Sequence, residues 1–191
     1  MNEGSEVEMK TLAIGFGLVV GLGVLIVGGG CKDSAAPAAP EKAATEATTG
    51  SGIPDGVWLA SSPAGAKAVA EVKKSAAAGQ EVVLTGRIGG RKDPFVSGRA
   101  IFMLSDRSIP SCEETHGPGC ATPWDYCCEP KETVLGGTLT VQIVGADGKP
   151  LKTGLEGAHG LKPLAEVVVK GKAVGTGSEM VIDATGIYVR G

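Results

Sequence analysis

The chain has 191 residues, a formal net charge of −3, 42% hydrophobic and only 4% aromatic residues. That length admits one globular domain with tails and excludes two large ones. The scarcity of aromatics weighs against a base-stacking surface, and the acidic balance against a polyanion-binding face.

Residues 11–30 (TLAIGFGLVVGLGVLIVGGG) carry no charge, are long enough to span a bilayer, and end at Cys31 before a polar run. The stretch from Val27 to Cys31 resembles the end of a bacterial lipoprotein signal, although Gly28 and Gly29 stand where that motif has Leu and a small residue. The resemblance implies lipidation of Cys31. An uncleaved anchor helix and simple secretion are the alternatives, and all three place the remainder outside the cytoplasm. The first ten residues hold Glu3, Glu6 and Glu8, a poor leading region for export, so Met9–Lys10 is the better start.

Residues 32–52 are rich in Ala, Pro, Thr and Glu without apolar periodicity, the composition of a disordered tether. Removing Lys10, Glu3, Glu6 and Glu8 from the 18 basic and 21 acidic residues leaves everything after Cys31 nearly neutral. Residues 53–191 form the expected domain. Residues 53–59 read as a turn leading to a packed Trp58. Residues 63–78 (PAGAKAVAEVKKSAAA) read as a helix with Ser62 as N-cap, Pro63 in the first turn, a stripe of Ala66, Val69 and Val72, and a stop at Gly79.

The rest is strand-like. Residues 81–88 and 99–106 are β-branched or aromatic runs bounded by Gly and Pro, and residues 138–144 alternate with Leu139, Val141 and Ile143 on one face. Residues 166–174 alternate in the same way, with Glu166, Lys170 and Lys172 facing water, and residues 180–184 and 187–189 form a last strand interrupted at Gly186. Five strands with Gly86 and Gly171 inside them predict a small, strongly curved barrel, with a β-sandwich as its rival. The segments VVLTGRIGG, VVVKGKAV and MVIDATGIYV, with a strand ending at Asp106, resemble an OB-fold over roughly residues 80–190. That resemblance implies a mainly β, five-stranded OB-like barrel preceded by a short helix.

Four of the five cysteines, Cys112, Cys120, Cys127 and Cys128, fall in a loop over residues 107–133. A loop of that length with no structure of its own is unusual unless it is functional or stapled. With export and an even count, two disulfides are expected. A bridge between neighbours is strained. That leaves Cys112–Cys127 with Cys120–Cys128, or Cys112–Cys128 with Cys120–Cys127. The competing expectation is a zinc or cuprous copper site built from the same cysteines with His116, near Asp125 and Glu129. A redox-active dithiol ranks third, because the chain has no Cys-x-x-Cys pair. The segment TPWDYCCEP resembles a loop of bacterial envelope lipoproteins, a resemblance that implies no activity. Trp124 and Tyr126 are either an exposed recognition tip or, as the better expectation, the cover of a miniature core.

No catalytic set emerges. His116 and His159 lack motif context, and Asp106 and Asp125 have no evident partner. The glycines of residues 86–91 do not open a helix after a strand as dinucleotide-binding loops do. Arg87, Arg91, Lys92, Arg99 and Arg107 read as a solvated face rather than a nucleic-acid surface. The sequence therefore predicts a non-enzymatic envelope lipoprotein, without a cofactor, acting as a binding or structural module for a protein or cell-envelope partner. A periplasmic metal chaperone and a nucleic-acid-binding OB domain are the alternatives.

Overall fold

A computed structural model describes residues 52–191. The expected signal segment, Cys31 and almost all of the tether lie outside the described residues. No helix among the described residues is long and apolar enough to cross a membrane.

The domain is mainly β. Its strands are β1 (Lys67–Ala68), β2 (Glu81–Ile88), β3 (Ile101–Ser105), β4 (Thr138–Gln142), β5 (Glu166–Val174) and β6 (Val181–Val189). Three short α-helices accompany them: α1 (Val69–Ser75), α2 (Cys112–His116) and α3 (Lys131–Gly137). Strands β2, β3, β4, β6 and β5 follow one another round the sheet, and β5 returns to β2 and closes it. All barrel pairings are antiparallel except β4 with β6, so the five-stranded barrel is mixed. The two-residue β1 lies parallel to β2 outside the closed ring.

Period-two alternation puts one face of every strand inside. In β2, Val82, Leu84 and Ile88 are buried while Glu81 is exposed, and Phe102, Leu104, Val141, Val167, Val169 and Ile182 fill the same interior. Fully burying each such side chain contributes about 1.5–3 kcal/mol. Tight closure explains the strand glycine Gly86. A Cβ there would lie 2.5 Å from the Ser105 oxygen and 2.8 Å from Leu104, so only Gly lets β2 pass β3 so closely. Strand β6 is one continuous strand through Gly186, not two pieces. The irregularity is instead a shift of register opposite Lys170 and Gly171 that leaves Thr185 unpaired, a bulge of the kind that tightens barrels.

The helix differs from the expectation of residues 63–78. It starts only at Val69, because Lys67 and Ala68 pair with Leu84 and Thr85. Sheet pairing overrides the Ala-rich helix propensity there. Its N-terminus is capped from 36 residues away, where Asp106 Oδ2 accepts the Ala70 N–H at 2.8 Å, and Ser62 takes no part. Val69 and Val72 of the expected stripe are buried against the barrel. Trp58 is half-buried and stacks on His159 with ring centroids 4.2 Å apart.

A candidate three-thiol site

The segment between β3 and β4 is not structureless. Helix α2 begins with a complete capping box: Glu114 N donates to Ser111 Oγ, and Ser111 N donates to Glu114 Oε2 at 2.7 Å. This Ser-x-x-Glu signature stands in the sequence at residues 111–114, overlapping the first cysteine of the loop. Arg87 on β2 then grips Glu114 with two hydrogen bonds of 2.6 and 3.2 Å, tying α2 to the barrel wall. The Arg87 hydrogen bond is the main reason the Glu114 carboxyl is held down to about 2.

The stretch after Cys120 is laid on the barrel by backbone bonds. Cys112 N donates to the Pro123 carbonyl at 3.0 Å, and Gly90 N donates to the Trp124 carbonyl at 2.8 Å. The Trp124 indole N–H reaches the Lys92 carbonyl at 2.9 Å. Tyr126 is 1% exposed, and its ring lies against Gly89, where a Cβ would come within 2.9 Å of Tyr126 Cε2. Tyr126 is thus packed inside rather than offered as a recognition tip, while Trp124 is half-buried. The docking surface for both is the glycine pair after β2, Gly89 and Gly90.

Tyr126 adopts a left-handed backbone (φ 56°), which turns the chain back at Cys127. Asp125 fixes this turn. Its Oδ1 accepts the Cys127 N–H at 2.8 Å and its Oδ2 accepts the Thr122 hydroxyl at 3.0 Å. Burial pushes the Asp125 carboxyl up, but these bonds outweigh it and hold the group below its ordinary value.

The turn delivers two exposed thiols onto one buried one. Cys127 Sγ lies 3.7 Å from Cys112 Sγ and 3.9 Å from Cys128 Sγ, and the three sulfurs all fall within 4.8 Å of one another. Cys112 is 1% exposed, whereas Cys127 and Cys128 face solvent. Among the described residues Cys112, Cys120, Cys127 and Cys128 are all free and no disulfide is formed, so neither expected pairing is present in this structure. The larger set expected from sequence also shrinks. Cys120 is half-buried and outside the trio, and His116 is exposed and outside it too. His116 lies in the last turn of α2 and Cys120 follows Gly117 and Gly119, and neither side chain joins the close group.

The three thiols share charge unequally. Burial raises the Cys112 thiol, but the Cys128 amide and the two neighbouring thiols more than compensate and hold it below its ordinary value. Cys127 is pushed up, chiefly by its contact with Asp125, and Cys128 chiefly by its contact with Cys112. Sulfurs bound to one ion at about 2.3 Å in tetrahedral geometry lie about 3.8 Å apart, a spacing the two short contacts already match. Beside the trio, Cys127, Tyr126, Lys131, Val134 and Leu135 line a cleft of about 390 Å³, and Leu135 is 67% exposed.

Of Arg87, Arg91, Lys92, Arg99 and Arg107, two are held in ion pairs: Arg87 by Glu114, and Arg107 by Glu166 at 3.0 Å. The class of protein defined by these features is a small closed β-barrel carrying a solvent-open cluster of three thiols on the crossover between its second and third barrel strands. No protein-family model and no curated protein matches the chain.

Proposed function

We propose that the chain is a non-catalytic binding module, tethered to the bacterial envelope, whose ligand is a thiophilic metal ion, zinc or cuprous copper. Cys112, Cys127 and Cys128 are the protein ligands. The observation that carries this reading is the convergence of three sulfurs, all within 4.8 Å of one another, on a buried Cys112. Soft thiolates favour these ions over hard, oxygen-seeking cations. Binding displaces the protons of Cys127 and Cys128, so affinity rises with pH. Because both these ligands face solvent, a fourth donor from outside can reach the ion, as transfer between proteins requires. The tether reading rests on residues 11–30 and Cys31. An OB-like assignment for the barrel is supported by the strand order, in which the third and fifth barrel strands run parallel and the fourth returns to the first.

The test is native mass spectrometry of the reduced protein with one equivalent of Zn²⁺ or Cu⁺ under anaerobic conditions. One ion is retained by the wild type, by Cys120→Ser and by His116→Ala, and is lost from Cys112→Ser and Cys128→Ser. Retention by Cys112→Ser, or no retention by the wild type, sinks the proposal.

A further inference from the structure

The trio is built asymmetrically, and the asymmetry bears on more than binding. Cys127 is exposed at the tip of the Asp125 turn, where an external reagent reaches it. Cys112 is buried at 3.7 Å behind it, where only another protein sulfur does. Cys128 is a poor bonding partner for Cys127, because adjacent Cα atoms are about 3.8 Å apart and a disulfide prefers about 4.4–6.8 Å. Cys120 stands outside the group.

Resting on the metal reading above, we propose that Cys112 and Cys127 are a thiol–disulfide couple whose closure empties the metal site, with an incoming small-molecule or protein disulfide as oxidant. In the first step Cys127, the sulfur a reagent can reach, gives its proton to solvent and attacks one sulfur of the disulfide RSSR′. The S–S bond of the reagent breaks, R′S⁻ leaves, and a Cys127–SR mixed disulfide forms. In the second step the Cys112 thiolate attacks Cys127 Sγ and expels RS⁻. The two leaving thiolates take up the two protons given up by the cysteines. Two electrons have then passed from the protein dithiol to the reagent, yielding RSH, R′SH and a Cys112–Cys127 bridge. Of the three donors only Cys128 remains, too few to hold the ion. Linkage requires the reverse as well: a bound ion protects the pair from oxidation.

The experiment treats the reduced full-length protein with oxidised glutathione, with and without one equivalent of zinc. Bridges are mapped by non-reducing peptide mass spectrometry, and free zinc is followed with a colorimetric chelator. The expected result is a Cys112–Cys127 bridge in the wild type and in Cys128→Ser; in the wild type alone, zinc slows its formation and appears in solution as it forms. In Cys112→Ser the glutathione adduct on Cys127 persists, because its resolving sulfur is gone. A Cys127–Cys128 or Cys112–Cys120 bridge overturns the proposal, and so does loss of the adduct from Cys112→Ser at the wild-type rate. A bridge that forms with zinc still bound overturns the gating. If the bridge forms but the reduced protein never binds zinc, the metal reading and the gating fall together and the couple alone remains.

Discussion

Gly89→Ala tests whether the cysteine segment is seated on the barrel as described. A Cβ at position 89 would lie 2.6 Å from the Trp124 carbonyl oxygen and 2.9 Å from Tyr126 Cε2. The first is backbone and the second belongs to a buried ring, so neither gives way cheaply. Overpacking of this kind costs about 1–3 kcal/mol. Gly89 is not among the residues with positive φ, so Ala also recovers about 0.4–1 kcal/mol through a less flexible unfolded chain. The net loss is about 1–2 kcal/mol, or a melting temperature lower by about 4–8 °C for a domain of this size. The matched control is Gly136→Ala in α3, where a Cβ meets nothing within 4 Å. It gains about 0.5–1 kcal/mol of helix propensity and melts a few degrees higher. The assay is thermal denaturation followed by circular dichroism, with zinc retention measured alongside. Zinc binding weakens in Gly89→Ala, because the Gly90–Trp124 bond that seats the Asp125 turn is displaced, and is unchanged in Gly136→Ala. The reasoning fails if Gly89→Ala melts at or above the wild type, or if the two variants lose stability equally.

Two further predictions concern the elements that frame the site. The Glu114 carboxyl is held at about 2 against an ordinary 4.5, chiefly by Arg87. Its folded value lies below the unfolded one, so its contribution is complete above about pH 5 and is lost as pH falls toward 2. The Glu114 side chain is 50% exposed, so screening limits the ion pair to about 1 kcal/mol. Urea midpoints measured from pH 6 to 2 should fall less steeply in Glu114→Gln than in the wild type, and parallel curves would refute the assignment. Asp106 is 4% exposed and accepts from the Ala70 and Ser108 amides. Asp106→Ala strands both donors and costs about 2–3 kcal/mol, with faster hydrogen exchange over residues 70–75 than at the barrel strands. Uniform acceleration throughout the domain would show that Asp106 does not act through α1.

The sequence by itself determined the strands and their inward faces, because period-two alternation is a local property that burial on one face enforces. Residues 166–174 were legible to the residue, and the interior glycine at position 86 announced a close strand crossing. The capping box at Ser111–Glu114 is local in the same way, since a cap is settled within four residues, although residues 107–133 were expected to be a loop. What the tertiary structure decided were the features that depend on partners far away in the chain. The helix begins at Val69 because β2 claims Lys67 and Ala68 and because Asp106 supplies a cap across 36 residues. The thiol cluster is likewise a tertiary fact. Spacing offered four cysteines and a histidine on equal terms. The Asp125 turn, held against Gly89 and Gly90 through Trp124 and Tyr126, brings Cys127 and Cys128 to Cys112, and Cys120 and His116 stay outside that close group. Sequence spacing counts residues along the chain, whereas ligand sets are chosen by where a fold turns it back.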